Sequence, residues 1–482
     1  MSAIVSVARN ELRHLVRSRV ALTGLVLTAL LTLAAAVTSS AYQADQAGLR
    51  ARLQASADTE FESQPDRHPH RVVHYGHFAI RPASGLAALD PGVEAFTGNM
   101  IFLEGHRQNS ANFGDARQSS LLVRFGQLSP ALVLQVVVPL LLVFVGAAAI
   151  AGERERGTLR QALLAGVPGR SILAGKALAL GVATLAIAAP AILLLVWLAV
   201  SGPARPSAVL LAAGGYGVYL GFWIVLIVAV SALAGRSRTA LMALVGAWAF
   251  AVILIPRIAP ELAAAARPLP TRIETDIAIA RDLRAMGDSH DPNDPYFAAF
   301  KQKTLQQYGV SRVEDLPLNY RGLLGMEGEK LTSGLFNRYA DQAFAAMGDQ
   351  SQIMDGLAVI SPTVAIRRLS MTAAETDLGG YQRFLRQAEA YRYDLIQRLN
   401  WLQATAVDAG DDAAKGSDAA AEARSRVSAD HWRNLPHFNP DRPKPAEVTR
   451  SALPALVVLV LWFAAAGLLA GVAARRLTRS AA

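Results

Sequence analysis

Pro130-Ala-Leu-Val-Leu-Gln-Val-Val-Val-Pro-Leu-Leu-Leu-Val-Phe-Val-Gly-Ala-Ala-Ala-Ile-Ala-Gly152 runs without a single charge, and the residues that follow are Glu153-Arg-Glu-Arg-Gly-Thr158. Crossing about 30 Å of hydrocarbon takes roughly 20 residues at 1.5 Å each, so the first stretch reads as a membrane span and the second as its exit. Working outward, five more stretches have the same character: Val20 to Tyr42, Ala177 to Ser201, Ser207 to Gly235, Thr239 to Pro256 and Ser451 to Ala474. Thr239 to Pro256 is short enough to need its flanks or a thin local bilayer. Val20 to Tyr42 could be taken for a cleaved signal peptide ending near Ser39-Ser40-Ala41. A signal core has only about 7 to 15 apolar residues, however, so this longer run reads as a retained anchor.

The 482 residues are 52% apolar and 18% charged, against about 25% charged in soluble domains, which argues against an ordinary soluble enzyme. There is no cysteine, so disulfides, iron-sulfur clusters and thiolate zinc sites are excluded. Orientation follows from Lys and Arg. With the N-terminus in the cytoplasm, the cytoplasmic pieces are 1–19, 153–176, 236–238 and 475–482, which hold 14 of these cations against three acids, Glu11, Glu153 and Glu155. The rest of the chain is then slightly acidic, so the overall charge of +9 belongs to the cytoplasmic rims and does not point to nucleic acid. The expectation is a multi-pass protein of a bacterial inner membrane, lipid-embedded, with both termini cytoplasmic.

Two segments lie outside in this scheme, 43–129 and 257–450, long enough together for a domain with its own core. Thr271 to Met286, Tyr296 to Tyr308, Leu335 to Met347 and Tyr381 to Leu402 carry helical patterning, with Phe384, Leu385, Ala388, Tyr391, Leu395 and Leu399 at helical spacing. Span one is predicted to continue as a helix through Leu53, and Val72 to Ile80 and Asn99 to Leu103 read as partly extended. Ala404 to Ala423 is rich in Ala, Asp and Gly, which suggests a mobile excursion. The fold class expected is therefore an all-α polytopic membrane protein of six transmembrane helices, 20–42, those within 130–256, and 451–474, plus a mainly helical outer domain with minor β structure.

The spans hold no Asp, Glu, Lys, Arg or His in their interiors, whereas ion-driven transporters need such groups at mid-membrane. A phosphate-binding loop is missing too: around Gly175-Lys176, Arg170 stands at the first glycine position and Ala177 follows the lysine. Neither H-E-x-x-H nor G-x-S-x-G occurs. Any transport is expected to be powered from elsewhere, along a path to which Gln135, Tyr216 and Tyr219 would contribute polar groups. Gly217 and Gly221 form G-x-x-x-G in span four, open to two readings, packing within the chain or a dimer seam.

The loop 153–176 begins with charges, continues as a helical turn from Thr158 to Leu164 with Leu159 and Leu163 on one side and Leu164 at its edge, and breaks at Pro168-Gly169. This describes a short amphipathic helix at the membrane surface with its apolar side available, or a solvated connector. Glu153-x-Glu155-x-Gly157-Thr158-Leu159, then Leu163-Leu164, Pro168-x-Arg170 and Gly175-Lys176, resembles the coupling segment of permease subunits of type-2 ABC exporters. Val7 to Arg19, within the segment 1–19, is similar to that family's interfacial elbow helix. Ser237-Arg-Thr-Ala-Leu241 leading to Trp248, Pro256-Arg257, Leu316 to Gly322, Ser361-Pro362 and Trp432 through Pro436 and Phe438 resemble a subgroup with a large outer domain of unknown function between spans five and six.

The resemblance implies a non-enzymatic subunit. A separate cytoplasmic ABC ATPase would bind ATP and Mg, and dock on the coupling helices of two permease chains, in a homodimer or heterodimer. Glu153, Glu155, Gly157, Thr158, Leu159 and Leu163 would sit in or near that contact, the carboxylates meeting basic groups or a helix N-terminus of the partner. The rival reading is a membrane-anchored sensor or assembly scaffold whose outer domain binds a ligand or partner.

His68, His70, His74 and His77 fall within ten residues. In a helix, His70, His74 and His77 share a face; in a strand, His68, His70 and His74 do. Either would bring three imidazoles toward one metal ion, set against the alternative of a solvated loop or polar contacts in a core. No cofactor is expected in the chain itself.

Overall fold

The computed structural model describes residues 2–111, 128–289, 291 and 293–479; residues 112–127 of the 43–129 segment and 480–482 of the tail lie outside them. The chain is an all-α polytopic membrane protein. Among the described residues it has six long apolar helices, Arg19–Glu62, Pro130–Glu155, Gly169–Val200, Pro206–Leu233, Ser237–Ala266 and Pro445–Arg479, here spans one to six. A shorter helix, Ala3–Arg17, precedes them; Ser18 ends it and also caps span one, its Oγ accepting from Ala21 N at 3.3 Å.

Span one is an unbroken helix of 44 residues, about 66 Å long at 1.5 Å per residue, so it continues past Leu53 to Glu62 and is well over twice as long as the hydrocarbon core is thick, about 30 Å. Spans two and five are the irregular ones. Each contains a wide turn, Val133–Val137 and Ala249–Leu254, just before Pro139 and Pro256. Proline has no N–H to give the preceding turn, and the carbonyls so released need other donors where water is absent. They have them: Tyr219 donates to Gln135 O at 2.7 Å, Trp248 to Val136 O at 3.1 Å, and Ser361 to Ala251 O at 2.6 Å. The wide turn also lets span five run on from Pro256 to Ala266, which removes the apparent shortness of that stretch.

At the end of the bundle opposite the termini, the described residues of 43–111 and 267–444 form one folded unit. One apolar cluster joins Phe61, Val72 and Val73 to Leu395, Ile396, Leu399 and Trp432; a second joins Ala79, Ile101 and Leu103 to Phe384, Ala388 and Phe438. Both clusters draw on both segments. The only sheet among the described residues is the antiparallel pair His77–Ile80 and Met100–Leu103, with Phe78 opposite Phe102. Long helices Tyr320–Gly356 and Leu378–Ala406 extend beyond the periodic stretches 335–347 and 381–402, and Arg272–Met286 starts at a Thr271–Glu274 capping box. Helix Pro362–Ala374 lies against spans four and six, with Ile366, Leu369 and Ala373 in the same core as the spans.

Two expectations fail here. Val72 to Tyr75 is helical, within Pro69–Tyr75, because Pro69 starts a turn that His68 caps; extension begins only after Gly76, whose φ of 76° breaks the helix. Residues 404–423 are ordered: they close the helix Leu378–Ala406 and continue as two short helices, Ala409–Ala414 and Ala419–Arg424. Their composition reads as disorder, but one fully buried side chain, Asp412, fastens them. It accepts from His68 Nε2 at 2.9 Å, Asn319 Nδ2 at 2.8 Å, Gln403 Nε2 at 2.9 Å and Lys415 Nζ at 2.5 Å.

Candidate functional site

The charged run that closes span two lies at the termini end of the bundle, and each of its first three residues fastens a different span. Span two breaks at Ala147–Ile150, and Ser231 of span four mends the break: its Oγ donates to Ala147 O at 2.7 Å and accepts from Ile150 N and Ala151 N at 3.0 and 3.1 Å. Glu153 Oε1 then meets Lys176 Nζ of span three at 2.5 Å, and the same ammonium meets Glu11 of the N-terminal helix at 2.5 Å. Arg154 donates to the carbonyls of Ala232 and Ala234, the last turn of span four, where a cation complements the helix dipole. Glu155 accepts from Ser237 N at 2.9 Å and Ser237 Oγ at 2.7 Å, capping the start of span five.

Gly175 explains the residue before the buried lysine. A Cβ there would lie 2.6 Å from Val7 Cβ and 2.9 Å from Ile4 O, so its hydrogen is what lets the N-terminal helix seat on span three. After Glu155 the chain reverses at Gly157, in the left-handed region with φ of 78°, and enters the helix Thr158–Leu164. Thr158 Oγ1 donates back to Glu153 O at 3.3 Å.

The expected roles of these residues change accordingly. The carboxylates of Glu153 and Glu155 do meet a basic group and a helix N-terminus, but those of their own chain rather than a partner's. Leu159 is not presented outward: it is 4% exposed and belongs to the bundle core, with Ala162 and Leu163 packed beside it. The outward face of the helix is Arg160, Gln161 and Leu164, the last 67% exposed. Helical periodicity locates an apolar face without saying whether the bundle or a partner covers it. With all three acids of this end occupied internally, the exposed ionic side chains left around the helix are arginines, among them Arg156, Arg160, Arg170 and Arg238.

At the opposite end, Gln135, Tyr216 and Tyr219 form a packed seam rather than a polar path. Gln135 Nε2 donates to Tyr216 OH at 2.8 Å, Tyr216 OH lies 2.9 Å from Ser370 Oγ, and Tyr219 OH lies 3.1 Å from Thr363 Oγ1. Ser370 in turn donates to Asp90 at 2.5 Å. Asp90 is not legible in the sequence, since nothing in Leu89-Asp90-Pro91 distinguishes it from a loop acid; burial pushes its carboxyl above the usual range. The glycines of span four divide. Cβ atoms on Gly215 and Gly221 would meet Leu369 Cδ2 at 2.5 Å and Phe463 Cε2 at 3.1 Å, which is packing within the chain, whereas Gly214 and Gly217 face open space.

The four neighbouring histidines also divide. His68 is committed to Asp412 and His77 to Asp58 at 3.1 Å, so neither belongs to a common cluster. His70 and His74, one helical turn apart, have their Nε2 atoms 3.1 Å from each other. They are joined by His106, which lies more than thirty residues away and carries no sequence periodicity to betray it. Burial, followed by the charges of His74 and His106, pushes the imidazolium of His70 down to about 3.

Among comparisons with known proteins, a family model described as a domain of unknown function (DUF3526) matches residues 272–441. This stretch lies between spans five and six. No curated protein and no solved structure matches.

Proposed function

We propose that this chain is the membrane-spanning permease subunit of an ATP-driven exporter of the type-2 ABC class, working with a second permease chain and a separate cytoplasmic ATPase that holds ATP and Mg. The observation that carries this reading is the fastening of the surface helix Thr158–Leu164. Its preceding residues Glu153, Arg154 and Glu155 tie it to spans three, four and five, while Arg160, Gln161 and Leu164 stay uncovered. A push on that helix would reach three spans and the N-terminal helix together. A merely solvated connector has no need of four anchors. The spans' lack of interior charges agrees with an external energy source.

On this reading Leu164, and not Leu159, contacts the ATPase. Leu164→Glu removes a contact whose burial contributes about 1.5 to 3 kcal/mol and adds a charge to an apolar contact, so partner affinity should fall at least about tenfold while the permease still inserts and folds. Leu159→Asp should instead impair folding, since it places a carboxylate in the bundle core. Co-purification and ATPase stimulation read the first effect, and detergent melting the second. A Leu164→Glu complex with undiminished coupled ATPase activity would return the helix to the role of connector and favour the sensor or scaffold reading.

Orientation has its own test. The positive termini end is placed in the cytoplasm of a bacterial inner membrane, both termini included. In the cysteine-free chain, Ser417→Cys should react with a membrane-impermeant maleimide in spheroplasts and Gln161→Cys should not; both sites are exposed in the fold. The reversed pattern would invert the assignment and remove the ATPase from reach of the helix.

A further inference from the structure

We infer that His70, His74 and His106 form a binding site for a single divalent d-block cation of the zinc and copper class. Each residue offers one ring nitrogen within 4.8 Å of the other two. Tetrahedral zinc with Zn–N bonds of 2.0–2.1 Å separates its nitrogens by roughly 3.3 Å, and His70 and His74 already stand at 3.1 Å. Modest rotation of the third ring completes the triangle.

The arrangement is built rather than incidental. His70 and His74 occupy one face of a helix whose first turn Pro69 and the His68 cap define. His106 reaches them because Gly105 lies directly on that helix: Gly105 N donates to Val73 O at 3.2 Å, and a Cβ on Gly105 would meet Val73 Cγ1 at 2.3 Å. His106 itself is held at φ of 65°, one of two non-glycine residues with positive φ among those described. Its N–H donates to the buried carboxylate of Glu329 at 2.9 Å, and its Nδ1 stands 3.7 Å from the same oxygen. A carboxylate beneath one ligand ring is the usual second layer of a histidine metal site. Strain of this kind persists where the surroundings enforce it, and it gathers at functional positions.

The donor set selects the ion. Three imidazoles without carboxylate or thiolate suit zinc, copper or nickel and offer nothing to magnesium or calcium. Lys415, the nearby cation, is held by Asp412, so its charge is compensated. His74 is exposed, which leaves the fourth coordination position open to water or to a donor from another molecule. Occupied, the site would fasten the 105–107 loop to the helix Pro69–Tyr75.

The full chain, purified in detergent without a polyhistidine tag and stripped with EDTA, is titrated calorimetrically with zinc chloride, copper chloride and magnesium chloride. The expected result is one zinc or copper ion per chain and no magnesium. His74→Gln changes an exposed side chain, and His106→Asn keeps a residue type that tolerates positive φ, so both should melt near the parent temperature. Each should weaken metal binding at least tenfold, with His431→Asn as an unaffected control. Absence of a stoichiometric zinc or copper ion, binding undiminished in both variants, or equal binding of magnesium would each overturn the assignment.

Discussion

Asp412→Ala should cost the outer domain about 3 to 5 kcal/mol, enough to lower its melting temperature by on the order of 10 °C. The side chain is fully buried and gathers four donors, from His68, Asn319, Gln403 and Lys415. Removing the carboxylate takes this acceptor from all four, and the bonds from His68, Asn319 and Gln403 are buried; an orphaned buried donor costs more than the bond itself contributes. The four donors stand just before Pro69–Tyr75, just before Tyr320–Gly356, at the end of Leu378–Ala406 and just after the short helix Ala409–Ala414. Loss of one residue therefore loosens the joint among both segments of the domain. Thermal melting, with proteolysis of the 404–424 stretch as a second readout, measures it. A variant that melts within a degree of the parent would show that the joint is redundant.

The same residue has a pH signature. Burial alone would raise the Asp412 carboxyl, but hydrogen bonds from His68, Lys415, Gln403 and Asn319 outweigh it and hold the group well below the usual carboxylate range. A carboxyl depressed in the folded state contributes stability that is complete above its unfolded value near 4 and is lost as pH falls toward the folded value. The gap in stability between parent and Asp412→Ala should accordingly be widest at neutral pH and narrow below pH about 4.

What the chain discloses before folding depends on the range of the interaction. The spans are legible because crossing a bilayer demands uncharged runs, and stretches such as Ala177 to Ser201 satisfy that demand locally. The helices of the outer domain are legible for the same reason, through Phe384, Ala388 and Leu395 on one face. The side to which a face turns is not local. Leu159 looks the same whether it meets the bundle or a partner, and only the fold reveals that it meets the bundle.

Partners distant in sequence are equally hidden. His106 adjoins His70 and His74 because Gly105 rests on Val73, and Asp412 is a keystone within a stretch whose composition imitates disorder. Pro139 and Pro256 each lack a donor, and the wide turns that precede them appear only in the fold. The residues that compensate, Trp248, Tyr219 and Ser361, come from elsewhere in the chain and could be matched to them only in three dimensions.

Lys176→Met should be as damaging at the termini end as Asp412→Ala is at the other. The ammonium is 2% exposed and is shared at 2.5 Å by Glu11 and Glu153. Without it two carboxylates face one another in a largely closed space, and either must take up a proton or the N-terminal helix must lift from span three; breaking a buried ion pair in this way costs about 3 to 5 kcal/mol. Neutralising the acids as well separates stability from coupling. In Lys176→Met combined with Glu11→Gln and Glu153→Gln, no unpaired charge remains and most of the melting temperature should return. If the surface helix drives the bundle through this junction, the triple variant should still bind its ATPase, because Arg160, Gln161 and Leu164 are untouched, yet stimulate hydrolysis less than the parent. A triple variant with full stimulation would confine the junction to holding the fold together, and a single Lys176→Met variant that melts like the parent would remove even that role.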